Sequence, residues 1–201
     1  IESQDLELGR LLAGIDALDL WQRTTLILVS DHGMTAATKT LDLSGALAEA
    51  GIEATLTGSV VGQIHLKAPV ADEQVRGVLE EFLVDVPGSE IYRNGELPPE
   101  FRLQRSNRLG DWVVVLPPPY WFRASSWFDR LLMQVAVYFG KELGMHGYDP
   151  AHPDMGGIFL AMGRGVPVEP LGKVHQIDVA ATIAALLGIE PPEHSEGQAI
   201  W

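Results

Sequence analysis

Short apolar runs alternate with amphipathic stretches along the chain, and the first clear run is Thr24–Val29. Its residues are apolar or β-branched, with no glycine or proline, which predicts a strand buried on both faces, as in a parallel sheet. Gly156–Met162 predicts a second buried strand. Apolar residues recur at helical spacing before the first run, in Glu2–Leu20, and after the second, in Gln176–Leu187. This alternation of helix and strand predicts an α/β fold.

The middle of the chain has a different pattern. Strand-like Ser59–Leu66 and Asp111–Leu116 enclose an amphipathic helix, Ala71–Val84, and a short strand, Ser89–Arg93. Strand, helix, strand and strand within about 60 residues predict a small α+β subdomain inserted into the main sheet. The segment Thr35–Thr40 is polar and is predicted to be a loop.

These patterns divide the chain into four parts. Residues 1–56 form a helix–strand unit of the α/β core, residues 57–120 the inserted subdomain, residues 121–143 an apolar helix, and residues 144–201 the return to the core. The apolar helix is too short to cross a bilayer, which needs roughly 20 apolar residues. Its wide apolar face is typical of packing in the core or on the subdomain. The alternative is a lid beside the site, or weak contact with a membrane surface.

Charge and composition exclude several classes of function. The chain has 14 basic and 27 acidic residues, a formal net charge of −13. This charge repels a polyanion on average, so we expect no general nucleic-acid binding. There is no cysteine, so disulfides and thiolate zinc sites are excluded, and any metal ion must be held by histidine and carboxylate. A small phosphate ester is still an acceptable ligand where metal ions supply positive charge.

The candidate chemistry lies in two polar segments. Asp31 and His32 follow the first predicted strand, at the end where open α/β sheets bind ligands. A carboxylate and an imidazole are both good ligands for zinc or a similar divalent ion. Taken alone, the pair is more typical of a helix cap and a surface loop residue. His146 lies between Gly144 and Gly147, where the backbone can bend closely around an ion or a ligand.

The order of the motifs strengthens the metal interpretation. The chain has SDHGM after its first strand, then the inserted subdomain, then GMHGYDP followed by a strand and an amphipathic helix. In that order the motifs resemble the nucleotide pyrophosphatase/phosphodiesterase family of the alkaline phosphatase superfamily. The stretch Asn107–Asp111, NRLGD, is also similar to that family. The resemblance covers most of the chain. It implies the C-terminal part of an alkaline-phosphatase-like, mainly parallel sheet flanked by helices, with a small inserted α+β subdomain.

The resemblance also implies a metal centre and an activity. Asp31 and His32 would bind one divalent ion and His146 a second, with zinc as the expected metal. The activity would be hydrolysis of a phosphodiester or pyrophosphate bond through a covalent phospho-enzyme intermediate. The substrate would be a small phosphate ester, such as a nucleotide or a phospholipid-like molecule. Family members are commonly exported or membrane-anchored with the domain outside, so a periplasmic or extracellular location is expected.

The family pattern also has parts that this sequence lacks. In the family, a Thr or Ser nucleophile and further Asp and His ligands precede the helix that begins here at Glu2. The nucleophile is therefore expected upstream of residue 1, and this chain alone is expected to be inactive. Two alternatives stay open. One is another hydrolase of the superfamily, acting on a phosphomonoester, sulfate or phosphonate. The other is a non-catalytic binding module, if the 201 residues are the complete protein.

Overall fold

The computed structural model describes residues 2–103, 106–123 and 143–201. In these ranges the helices are α1 (Glu2–Ala17), α2 (Leu43–Glu49), α3 (Asp72–Phe82) and α4 (Asp178–Leu187). The strands are β1 (Thr25–Val29), β2 (Thr35–Ala37), β3 (Lys39–Leu41), β4 (Ala54–Thr57), β5 (Val61–Leu66), β6 (Glu90–Arg93), β7 (Trp112–Val115), β8 (Tyr120–Phe122), β9 (Leu143–Met145) and β10 (Phe159–Gly163). The predicted apolar helix 121–143 lies almost entirely outside the described residues.

The chain divides by its internal contacts into two compact units. Unit 1 comprises residues 1–31 and 157–201, and unit 2 comprises residues 32–156. The finer four-part division of the sequence stays a prediction. Within the described ranges, no helix is long and apolar enough to cross a membrane.

Unit 1 is built on the pairing of β1 with β10. The two strands are antiparallel, with Thr25 opposite Gly163 and Val29 opposite Phe159. The prediction that β1 is buried on both faces is wrong: its first four residues are half-buried and Val29 is 45% exposed. The reason is that burial needs covering elements on both faces and edges. In the part of the chain that the structure describes, β10 is the only strand paired with β1.

The helix before β1 also keeps much of its apolar stripe exposed. Ile15 is the buried residue of α1, whereas Leu6 and Leu11 are 65% and 52% exposed. The amphipathic helix predicted in Glu2–Leu20 is therefore present, but only Ile15 of α1 is buried. Leu18, just beyond α1, is exposed as well.

Unit 2 contains a four-stranded sheet in the order β4-β5-β7-β6, with every pairing antiparallel. All the residues of β7 are buried, as expected for an inner strand. Helices α2 and α3 pack against the sheet through Leu43, Leu47, Val75 and Leu79. The helix and strands predicted from Ser59 to Leu116 are all present: α3 has apolar residues at helical spacing, and β7 is a short continuous apolar run.

The α3 contact gives a direct test of this packing. Leu79 is completely buried, so Leu79→Ala removes apolar contacts and leaves a cavity. We expect it to lower the free energy of unfolding by about 2–5 kcal/mol, measured by urea denaturation. Val84→Ala is the matched control, since Val84 is 75% exposed just beyond the same helix, and its effect should stay within about 0.5 kcal/mol. Equal losses in the two variants would contradict the packing of α3.

Candidate functional site

The two candidate motifs are joined by a short ladder that sequence analysis missed. Strand β2 pairs antiparallel with β9, with Thr35 opposite Met145 and Ala37 opposite Leu143. The segment Thr35–Thr40 is therefore not the polar loop that its sequence predicts, because it contains β2 and most of β3. Three-residue strands are too short to show an alternation of apolar and polar residues. They form because they pair with a strand that is distant in sequence. The ladder places the residues before Thr35 beside those after Met145.

His32 and His146 meet at the end of this ladder. Their rings are stacked, with centroids 3.8 Å apart and planes 9° from parallel. His32 is half-buried and His146 is exposed. Nδ1 of His32 lies 2.7 Å from the Gly33 carbonyl oxygen. Since a carbonyl can only accept, Nδ1 is the donor in this contact.

The turn after His32 is fixed by a close backbone approach. The Gly33 amide donates to the carbonyl of Met155 at 3.0 Å. A Cβ atom on Gly33 would collide with the carbonyl oxygen of Asp154 and lie 2.7 Å from that of Gly156. Only glycine allows the main chains to approach this closely. The glycine of SDHGM therefore sets the position of the histidine before it.

The loop after His146 is held from its other side. Gly147 has φ +87°, a left-handed conformation that favours glycine. The next residue, Tyr148, is only 3% exposed, and its hydroxyl donates to the carbonyl of Tyr120 at 2.9 Å. Burial raises the pKa of the Tyr148 hydroxyl, so it stays protonated, as a donor, at neutral pH. Sequence analysis assigned no role to Tyr148. The glycine that precedes it was the one signal available in the sequence.

Asp31 follows β1 at the end of the first segment of unit 1. It is exposed and helps to line an open cleft of about 580 Å³, together with residues of β1 and α4 such as Val29, Val179 and Ile183. Ser30 has a structural role in the same unit. Its amide donates to the carbonyl of Ile158 at 3.1 Å, and its Oγ accepts from the amide of Ile158 at 2.9 Å. Ser30 thus extends the β1–β10 ladder by one more pair.

The remaining polar residues of the second motif hydrogen-bond within their own loop. Asp149 Oδ1 accepts from the Ala151 amide at 2.8 Å, and His152 Nδ1 accepts from the Asp154 amide at 3.2 Å. These contacts agree with the loop-structuring role expected of Asp- and Pro-rich turns. Among the described residues, no group of three or more His, Asp or Glu side chains is arranged to hold a metal ion. The described donors fit a metal centre in type, but they make up only part of its shell.

The chain is similar in sequence to proteins of a known family. The family model described as type I phosphodiesterase / nucleotide pyrophosphatase matches residues 1–149. The bovine (Bos taurus) bis(5'-adenosyl)-triphosphatase ENPP4 is 25% identical over 200 residues, which are 95% of this chain and 39% of that protein. The chain therefore spans well under half of that curated relative.

Solved structures show the same fold. Human ectonucleotide pyrophosphatase/phosphodiesterase 5 superposes with a TM-score of 0.72 at 24% identity, covering 98% of this chain and 49% of that one. An inactive variant of murine ectonucleotide pyrophosphatase/phosphodiesterase 5 in complex with AMP gives a TM-score of 0.70 over 96% of this chain. These likenesses confirm the predicted α/β class and the alkaline-phosphatase-like architecture.

The close approach at Gly33 yields a prediction. Gly33→Ala places a methyl group against two carbonyl oxygens, so the turn must move. We expect a loss of more than about 1 kcal/mol in the free energy of unfolding, with the His32 ring displaced. The measurements are urea denaturation and the histidine ring signals in NMR spectra.

Gly77→Ala is the matched control, because a Cβ there meets nothing within 4 Å. In the middle of α3 it should stabilise the protein by roughly 0.5–1 kcal/mol. Two variants of equal stability, with unchanged histidine signals, would contradict the constraint at Gly33.

Proposed function

Because the chain belongs to the type I phosphodiesterase / nucleotide pyrophosphatase family, we propose that it takes part in the metal-dependent hydrolysis of phosphodiester or pyrophosphate bonds. The observation that carries the proposal is the stacked pair of His32 and His146. The β2–β9 ladder joins the two motifs that are distant in sequence, and it leaves two imidazoles together at its end.

We assign Asp31, His32 and His146 as metal ligands. An imidazole binds a metal ion through a lone pair in the plane of its ring. Two nearly parallel rings 3.8 Å apart have no shared plane, so both cannot direct their lone pairs at one ion. This supports different ions for His32 and His146. We place Asp31 on the ion held by His32 because the two residues are adjacent in the chain. Two bound divalent ions, with zinc expected, would stabilise the attacking and leaving oxygens of phosphoryl transfer.

The proposed substrate is a small phosphate ester, with a nucleotide as the first candidate. Support comes from the bovine relative, a bis(5'-adenosyl)-triphosphatase, and from the murine structure in complex with AMP. The formal charge of −13 opposes an anionic substrate. A site with metal ions would offset that charge locally. A bulk polyanion would gain little from two ions, so the proposal excludes general nucleic-acid binding.

The nucleophile and the remaining ligands are proposed to come from sequence outside these 201 residues. Three observations support this. The described residues contain no complete group of metal ligands. The relatives are much longer than the matched region. Unit 1 exposes apolar residues of β1, β10 and α1 that further sequence could cover. On this proposal the 201-residue chain alone does not turn over substrate.

The location is proposed to be outside the cytoplasm, either exported or anchored with the domain outside. Support comes from the solved relatives, which are ectonucleotide pyrophosphatase/phosphodiesterases.

Ligand variants of the whole protein test the assignment. We expect Asp31→Ala, His32→Ala and His146→Ala each to lower kcat/KM for a bis-aryl phosphate at least 100-fold, because each removes a donor that holds an ion at the reacting phosphate. His175→Ala is the control: His175 is exposed and is not assigned as a ligand, so its kcat/KM should stay within threefold. Turnover of a ligand variant within a few-fold of the wild type would refute the assignment.

A mono-aryl phosphate measured in parallel separates diester from monoester hydrolysis.

The mass of the native protein tests the origin of the nucleophile. We expect an intact mass well above 21.9 kDa, because a nucleophile and further ligands need additional sequence. Intact mass spectrometry of the protein purified from its source gives the answer. A native mass of 21.9 kDa would leave the two-metal site incomplete and would favour a binding role.

A further inference from the structure

Tyr148 lies in a small buried cluster beside the histidine pair. The members of this anchor cluster are Ala37, Val60, Trp121, Tyr148 and Met155. All five are at most 8% exposed. It is separate from the larger core formed by α2, α3 and the four-stranded sheet. Its only side-chain hydrogen bond among the described residues joins the Tyr148 hydroxyl to the Tyr120 carbonyl, at 2.9 Å.

The anchor cluster fixes the backbone on both sides of His146. On the N-terminal side, Met145 is the last residue of β9 and is paired with Thr35. On the C-terminal side, Gly147 turns the chain in a left-handed conformation, and Tyr148 enters the cluster directly after it. His146 itself is exposed, so packing of its own side chain does little to hold it. Its position depends on these two neighbours.

The same cluster also reaches the other histidine. Met155 is buried in it, and its carbonyl accepts the Gly33 amide at 3.0 Å. Because Gly33 follows His32 directly, the cluster is connected by main chain to both rings of the stack. A change in the position of the Tyr148 side chain within the cluster would therefore alter the distance between the two imidazoles, although both rings would still be present.

We propose that Tyr148 is a positioning residue for the metal centre: its hydrogen bond to Tyr120 sets the loop from which His146 binds an ion. This inference rests on the proposed function, since it assumes that His146 is a ligand. Outer-shell partners that orient metal-binding histidines typically change metal affinity 10- to 100-fold when removed. Most such partners hydrogen-bond directly to a ring nitrogen of the metal-binding histidine. Tyr148 would act instead through the backbone that it shares with His146.

The test is Tyr148→Phe in the whole protein, which keeps the buried ring and removes only the hydroxyl. We expect the zinc affinity of the site that His146→Ala removes to fall about tenfold in calorimetric titration. We also expect a changed visible spectrum of the Co²⁺-substituted protein, which reports ligand geometry. The midpoint of thermal unfolding without metal should move by only a few degrees. Tyr92→Phe is the matched control, because Tyr92 is a half-buried tyrosine of β6 in the same unit, and its zinc affinity and Co²⁺ spectrum should match the wild type.

His146→Ala separates this inference from the proposed function. If His146→Ala binds zinc with unchanged stoichiometry and affinity, the assignment of His146 as a ligand is wrong. If His146→Ala loses an ion while Tyr148→Phe binds zinc like the wild type, only the positioning role of Tyr148 is refuted. Should Tyr148→Phe fail to fold, Gly147→Ala strains the left-handed turn that joins His146 to Tyr148. Unchanged zinc affinity in that variant would show that His146 binds its ion independently of how Tyr148 is held, and would overturn the inference.

Discussion

The main chain of Gly33 lies so close to residues 154–156 that no side chain fits between them, and the arrangement of the histidine pair depends on this contact. The Gly33 amide donates to the Met155 carbonyl, which ties the turn after His32 to the loop after His146. The β2–β9 ladder fixes the other ends of both segments. Two motifs distant in sequence are thus held together mainly by backbone hydrogen bonds. These backbone contacts position the two histidines.

Elements with a strong local period were predictable, and those that depend on a distant partner were not. Helix α3 was predicted because Val75 and Leu79 repeat at helical spacing and are both buried. Strands β2 and β9 have three residues each, too few to show alternation, and they gain their stability from each other. The residue types of the candidate site were therefore accessible from sequence, whereas the ladder that brings them together was not.

The burial of β1 shows a second limit of sequence analysis. The residues of β1 are apolar, yet Val29 is 45% exposed. On the partner strand β10, Met162 is 45% exposed and Leu160 is 62% exposed. An apolar composition indicates that a strand can be buried. Whether it is buried depends on the helices and strands that cover it. The mismatch is concentrated in unit 1, whereas the inner strand β7 of unit 2 is buried throughout. The apolar runs therefore predicted a strand correctly in both units, whereas full burial is found only for β7.

The candidate ligands are less buried than the residues that support them. His146 and Asp31 are exposed, whereas Tyr148 and Met155 are 3% and 8% exposed. A ligand must reach solvent to accept an ion and a substrate, so its own packing cannot hold it in place. Precision then has to come from neighbouring residues that are buried and hydrogen-bonded. Tyr148, which is buried, and Gly33, which is half-buried, make such hydrogen bonds on either side of the stacked rings.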